Sequence, residues 1–248
     1  MLKILKIRLK QGNCTIPYPF KVKLPERFRG LPRVYPERCG DDCKLCADAC
    51  PINAISLNPL TLDIGRCIFC ENCVSACPNK AIEYSDGIKM SVRNRSDLLL
   101  RGQELKLAEA LEKKMKKLLG RSLKLRVVTA GSCNGCEMEL NAVNNIQFDL
   151  SRFGVQIVAS PRHADGVIVT GPVTNNMKLA LEKTFAAVPE PKIVIAVGAC
   201  AINGGPFEGS PHVHNGADKL LPVDLYIPGC PPHPLTIIDG ILRLLGRE

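Results

Sequence analysis

The C-terminal half of the chain alternates two textures. Short β-branched runs, LKLRVVT (123–129), VQIVAS (155–160), GVIVTG (166–171), KIVIAV (192–197) and VDLYIP (223–228), predict strands. Segments 136–147, 175–188 and 233–246 carry apolar residues at helical spacing and predict helices. Strands that alternate with helices predict an α/β domain with a mainly parallel sheet over 123–248. The N-terminal half reads differently. Residues 11–38 hold Pro17, Pro19, Pro25, Pro32 and Pro36, which predicts an extended strap within a basic arm over 1–38. Residues 39–90, the body of a domain expected over 39–100, offer few large apolar side chains, so that domain depends on bound groups for its fold. Between Gln103 and Leu119 the residues Leu105, Ala108, Leu111, Met115, Leu118 and Leu119 recur at helical spacing, and Gly120 stops them. A linker helix within 101–122 is therefore expected.

Charge refines this picture. The 248 residues carry a formal net charge of +9. Residues 1–38 hold ten Lys/Arg against two Asp/Glu, and residues 101–126 hold nine against three, while the remainder is net negative. The positive charge thus sits on the arm and the connector. Aromatics make up only 4% and no recognised nucleic-acid motif is present, so a nucleic-acid partner is not expected. Docking on partner subunits or on anionic headgroups suits the arm better, with the Leu/Ile positions of Met1–Leu9 pressing into a partner groove or a membrane surface. No apolar run approaches the length of a membrane span, and Met1–Lys10 lacks the make-up of a signal peptide, which predicts a cytoplasmic protein. In that compartment thirteen cysteines argue for metal ligation rather than disulfides.

Eight of those cysteines form two copies of one pattern. Cys39, Cys43, Cys46 and Cys50 run C-x3-C-x2-C-x3-C-Pro; Cys67, Cys70, Cys73 and Cys77 run C-x2-C-x2-C-x3-C-Pro. Their tails repeat as Pro51–Ala54–Ile55 and Pro78–Ala81–Ile82. In such runs three closely spaced thiolates wrap one iron–sulfur cubane, and the fourth ligates the other copy's cluster. The expected sets are Cys39, Cys43, Cys46 and Cys77 for one [4Fe–4S] centre, and Cys67, Cys70, Cys73 and Cys50 for a second. Proline after the fourth cysteine turns the chain away. Structural zinc prefers two separated C-x2-C pairs around one ion, which this spacing fits poorly.

Four more cysteines each follow a predicted strand: Cys133 and Cys136 after 123–129, Cys200 after 192–197, and Cys230 after 223–228. In a parallel sheet the C-terminal strand ends share one edge, where ligands bind, so separate turns deliver these four thiolates to one place. Glycine before Cys200 and before Cys230 allows close backbone approach. Four thiolates so spaced suit zinc or a cubane; two centres in the same chain favour a third [4Fe–4S].

These stretches carry a family likeness. GSCNGCEMEL (131–140), GPVT (171–174), GACAINGG (198–205) and PGCPPHP (228–234) resemble the small subunit of membrane-bound, complex-I-related (group 4) [NiFe] hydrogenases and the homologous cluster-bearing subunit of respiratory complex I. The likeness covers roughly 120–246. The first pair is C-x2-C, the hydrogenase arrangement, where complex I has adjacent cysteines. YPF (18–20), ERFRGLPR (26–33) and both cysteine runs resemble the two-[4Fe–4S] subunit of complex I. These are usually separate subunits, and here they stand fused. The resemblance implies a ferredoxin-like α+β domain joined to a flavodoxin-like α/β domain. It implies an electron-transfer subunit of a hydrogenase, with electrons entering from a soluble ferredoxin or another donor. They would pass through the N-terminal centres to a proximal cluster on Cys133, Cys136, Cys200 and Cys230. That cluster would face a [NiFe] site in a partner large subunit, on the cytoplasmic side of a membrane assembly. With twelve cysteines given to clusters only Cys14 remains, so no nickel site and no complete active site is expected in this chain. The nearest alternative is the equivalent subunit of a nickel-free reductase acting on quinone or a sulfur compound; a free ferredoxin-type carrier is a further one.

By the same resemblance Glu139, three places after Cys136, lies where the family puts an acid beside the cluster, which implies a proton-path role; a helix N-terminal acid is the plainer reading. Glu137 reads only as such an acid. His233, beside Cys230, reads as a solvent-edge histidine in preference to one that tunes the cluster. Cys14 and the His212/His214 pair receive no role.

Overall fold

The computed structural model describes residues 2–247 except 21, 41, 42, 113, 114, 116–118, 120 and 121. The strands, in chain order, are β1 (Pro32–Val34), β2 (Ile55–Ser56), β3 (Thr61–Asp63), β4 (Ile82–Tyr84), β5 (Leu99–Leu100), β6 (Leu123–Thr129), β7 (Val155–Ile157), β8 (Gly166–Thr170), β9 (Ile193–Val197) and β10 (Leu225–Ile227).

The five C-terminal strands form one sheet in the order β10-β9-β8-β6-β7, parallel throughout. Every residue of β8 and β9 is buried, which explains why both read as unbroken apolar runs rather than as alternating ones. Helices Gly135–Ala142, Asn175–Ala187 and Pro234–Leu245 connect or follow these strands. The last is buried along its whole length. It lies between the sheet and the N-terminal half, whose Ser91 side chain packs so close that a Cβ on Gly240 would stand 2.3 Å from Ser91 Oγ. Val92 and Tyr226 exchange backbone hydrogen bonds of 3.1 and 2.9 Å, so the N-terminal half covers the β10 edge of the sheet.

The N-terminal half is built from short pieces. β1 pairs antiparallel with β4, and β2-β3-β5 form a second small antiparallel sheet. Two one-turn helices, Leu45–Asp48 and Asn72–Ala76, carry Cys46 and Cys73. Several cysteines belong to the apolar core itself, among them Cys46, Cys67 and Cys73.

Two expected elements differ. The arm is not extended throughout: Leu2–Gln11 is a helix none of whose residues is buried. The linker helix expected over 103–119 does not form over 103–112. There the backbone N–H groups turn to other segments: Ala108 N donates to Ser91 O and Leu111 N to Leu244 O, each at 2.8 Å. Ala108 and Leu111 are both buried in the core cluster that holds the last helix, so the apolar spacing reports burial of a non-helical segment rather than a helical face. Met115 and Leu119 are helical, while Leu118 and Gly120, the expected end of that helix, lie outside the described residues. No helix among the described residues is long and apolar enough to cross a membrane.

Candidate iron–sulfur sites

The first run begins where Cys39 N donates to Pro36 O at 3.0 Å and Cys43 N to Gly40 O at 3.1 Å. Burial pushes the Cys46 thiol up, and the thiols of Cys77, Cys39 and Cys43 push it further. The second run begins at a locked turn. The carboxylate of Asp63 accepts from Gly65 N at 2.9 Å and Arg66 N at 3.3 Å, and takes both arms of the Arg95 guanidinium at 2.9 and 2.6 Å. Phe69 and Glu71 then adopt left-handed backbone, with φ of 55° and 66°, to curl the chain around its own cysteines.

Burial pushes Cys67 up to about 11, with Cys50 and Cys70 adding to it while Tyr84 and the Phe69 N–H oppose it. Cys73 is pushed up to about 12 by burial, then by Cys67, Cys50 and Cys70. The fourth cysteine of each run thus lies with the first three of the other. The repeated tails supply matching donors, with Ala54 N donating to Cys50 Sγ at 3.2 Å and Ala81 N to Cys77 Sγ at 3.3 Å. Tyr84 brings its hydroxyl within 3.2 Å of Cys67 Sγ, and burial together with the nearby thiols holds that hydroxyl far above its ordinary value.

The third set gathers at the C-terminal edge of the sheet. Cys136 lies on the Gly135–Ala142 helix, Cys200 on the short Ala199–Asn203 helix, and Cys133 and Cys230 on exposed turns. Gly198 N donates to Ile227 O and Ala199 N to Gly229 O, each at 2.9 Å, so the Cys200 and Cys230 turns are tied together. Gly198 leaves room for sulfur: a Cβ there would stand 2.5 Å from Cys136 Sγ. Burial pushes Cys136 up, followed by Cys200, Glu137, Cys230 and Cys133; Cys200 rises to about 12 from burial, then Cys230 and Cys133. Cys230 is raised by desolvation and then by Cys133, although its side chain stands at the rim. Three sets of four thiols thus sit where each ionised sulfur would repel the others, a repulsion that a positively charged core would offset. Among the described residues no three His, Cys, Asp or Glu side chains close tightly enough to chelate a single ion.

Around the third set the structure adds what the sequence reading missed. Glu137 is more than a helix-start acid. Ser132 Oγ lies 2.8 Å from both its carboxylate oxygens, and the Thr170 hydroxyl donates to it as well. Burial raises its pKa, but the hydroxyls of Thr170, Ser132 and Thr129 outweigh that and hold it below the usual value. It clamps the Cys133 turn to β8. His233 is half-buried and lines a cleft. Its ring stands edge-on to Phe28 and Phe148, with centroids 5.2 and 5.9 Å away, and Nδ1 accepts from Leu235 N at 3.2 Å to cap the last helix. Glu139, its carboxyl raised by burial, lines a cleft of about 400 Å³ with Arg29, Phe69, Met90, Cys230 and His233, between the second and third thiol sets. Cys14 is exposed, and His212 is an exposed loop residue.

Residues 133–244 match the family model described as NADH ubiquinone oxidoreductase, 20 Kd subunit, and residues 38–81 match a 4Fe-4S dicluster domain. The chain is 45% identical over 131 residues to a probable membrane-bound hydrogenase subunit, mbhJ, of Pyrococcus furiosus, covering 53% of this chain and 78% of that one. It is 48% identical over 127 residues to an NADH-quinone oxidoreductase subunit of Bacteroides thetaiotaomicron, covering 50% of this chain and 64% of the other. It is 45% identical over 130 residues to formate hydrogenlyase subunit 7 of Escherichia coli, covering 52% of this chain and about half, 51%, of that relative. With the third thiol set inside the matched region and the two runs inside the dicluster match, the chain belongs to the family of the NADH ubiquinone oxidoreductase 20 Kd subunit, with relatives among the subunits of membrane-bound hydrogenases and of NADH-quinone oxidoreductases.

Proposed function

We propose that this chain is the iron–sulfur electron-relay subunit of a complex-I-related, membrane-bound [NiFe] hydrogenase, carrying three [4Fe–4S] centres and no terminal catalyst. The observation that carries this reading is the partition of twelve thiols into three mutually repelling sets of four, with Cys50 and Cys77 exchanged between the first two. Cys39, Cys43, Cys46 and Cys77 hold one centre; Cys67, Cys70, Cys73 and Cys50 hold the second; Cys133, Cys136, Cys200 and Cys230 hold the third. In the first two sets, three thiols in close series plus a remote fourth favour a polynuclear core over zinc. When bound, each centre supplies a site that accepts and returns one electron. The protein's part is to bury sulfur, to aim N–H groups at it and to hold the three sets in series. The sheet order β7-β6-β8-β9-β10 is the flavodoxin-like 2-1-3-4-5 order counted within its domain, and it puts the third set at the strand ends.

Exposed Cys133, Cys230 and Met138 bring the third set to the surface, where a [NiFe] large subunit docks. Glu139, beside that set, holds a proton on the path to the partner. Membrane subunits complete the assembly, with this chain peripheral on the cytoplasmic side, and a soluble ferredoxin or another donor supplies the N-terminal centres. A second reading, the equivalent subunit of a nickel-free reductase, draws on the comparable likeness to the NADH-quinone oxidoreductase subunit. Purifying the native complex and assaying nickel, iron and hydrogen evolution separates the two. Nickel with hydrogen evolution supports the hydrogenase; a nickel-free, iron-loaded complex supports the reductase; an iron-free chain ends both. Glu139→Gln in the same complex lowers hydrogen turnover without altering the cluster signals.

A further inference from the structure

The two cysteine runs align residue for residue through their tails: Cys50 with Cys77, Ala54 with Ala81, Ile55 with Ile82. Two places further, Leu57 stands where the second copy has Tyr84. The surroundings match as well. Leu57 lines a small cleft with Cys39 and Cys43, at the start of the first run. Tyr84, closing β4, lies against Cys67, the first cysteine of the second run, with 3.2 Å between its oxygen and Sγ. The tyrosine ring is held by Phe69, centroids 5.8 Å apart, and Phe69 N donates to the same sulfur at 3.3 Å. Tyrosine has a proton to give at this place and leucine has none. A sulfur bound to iron is a thiolate and only accepts, so the bond runs from Tyr84 to Cys67.

We infer that Tyr84 raises the reduction potential of the centre held by Cys67, Cys70, Cys73 and Cys50 above that of its otherwise similar twin. This rests on the cluster assignment proposed above. A donor to a ligating sulfur stabilises the extra negative charge that a one-electron reduction brings, so the reduced form gains more than the oxidised one. The favoured centre is the inner one, because Phe69, within its run, lines the cleft that also holds Cys230. Two copies of one motif thereby become unequal, and an electron settles on the member nearer the third set.

The test uses the full chain with its clusters loaded. Tyr84→Phe keeps the ring against Phe69 and removes only the hydroxyl. In a redox titration followed by electron paramagnetic resonance, one of the three centres moves to a more negative midpoint and the other two stay. The same comparison on a Cys200→Ala background, which removes the third centre, assigns the shift to one of the N-terminal pair. Pulsed electron–nuclear double resonance on the wild type gives a readout independent of any variant: one ferredoxin-domain centre shows an exchangeable side-chain proton coupling, and Tyr84→Phe loses it. Unmoved midpoints at wild-type iron content, or equal shifts in both N-terminal centres, overturn the inference and leave the cluster assignment standing. A wild-type chain without iron overturns both.

Discussion

Tyr18 donates its hydroxyl hydrogen to Asp239 across 2.8 Å, joining the N-terminal strap to the last helix over a separation of 221 residues. The other carboxylate oxygen of Asp239 takes Arg243 Nε at 2.7 Å, and all three side chains are buried. Around this anchor Ile16 N donates to Gln147 O at 2.8 Å and Arg152 to Ile16 O, also at 2.8 Å. The strap is thus pinned across the C-terminal domain before it reaches β1 and the cysteine runs.

Removing one partner of such a pair leaves a buried charge poorly compensated. Tyr18→Phe costs about 1–3 kcal/mol and Asp239→Ala about 3–5 kcal/mol. Denaturant midpoints of the loaded chain measure both. If Asp239→Ala unfolds at the wild-type midpoint, the anchor has no energetic role.

On the proposed assignment, Cys200→Ala removes a ligand of the third set alone. Iron falls from about twelve to about eight atoms per chain, four being the content of one cluster. Hydrogen turnover with the native partner stops, while the two N-terminal centres remain reducible. Full turnover in this variant means that the relay does not pass through the third set.

Gly198 combines φ of 90° and ψ of 156°, backbone open essentially to glycine alone, with a Cβ position 2.5 Å from Cys136 Sγ. Gly198→Ala displaces that sulfur and costs about 1–3 kcal/mol in backbone strain. The expected result is loss of the third centre's signal with the other two intact, read by resonance spectroscopy on the reduced chain.

His233 gives the domain a dependence on acid. Burial lowers its pKa from the ordinary 6.5, so the unfolded chain binds this proton more readily than the folded one. Its contribution is therefore intact above pH 6.5 and is lost as pH falls through the lower folded value. Protonation also removes the Nδ1 acceptor that caps the last helix. His233→Asn keeps a cap without titrating, and thermal melts between about pH 7 and 5 show a shallower acid-side decline for the variant.

What could be read before folding depended on how far apart the contributing residues lie. The strand expected at 123–129 forms at Leu123–Thr129 because its apolar periodicity reports a local, one-sided burial, and the last helix, expected at 233–246, forms at Pro234–Leu245, where a nearly continuous apolar run is buried on every side. The same signal misled at 103–112, where Ala108 and Leu111 are buried in one core cluster but their backbone N–H groups bond to Ser91 and Leu244 instead of along a helix. The Glu137 clamp depends on Thr170, 33 residues away, and nothing near Glu137 in the chain announces it. The Leu57/Tyr84 mismatch stood in the repeat, but only the fold put the hydroxyl on Cys67.

The amino-acid sequence alone determined the cysteine spacing and the strand–helix alternation, because turn geometry and face burial act over a few neighbouring residues. Tertiary structure alone decided which buried groups meet: Tyr18 with Asp239, Tyr84 with Cys67, Glu137 with Thr170. A buried polar atom must find its partner wherever the packed chain delivers one, and that place is set by the whole core rather than by its neighbours in sequence.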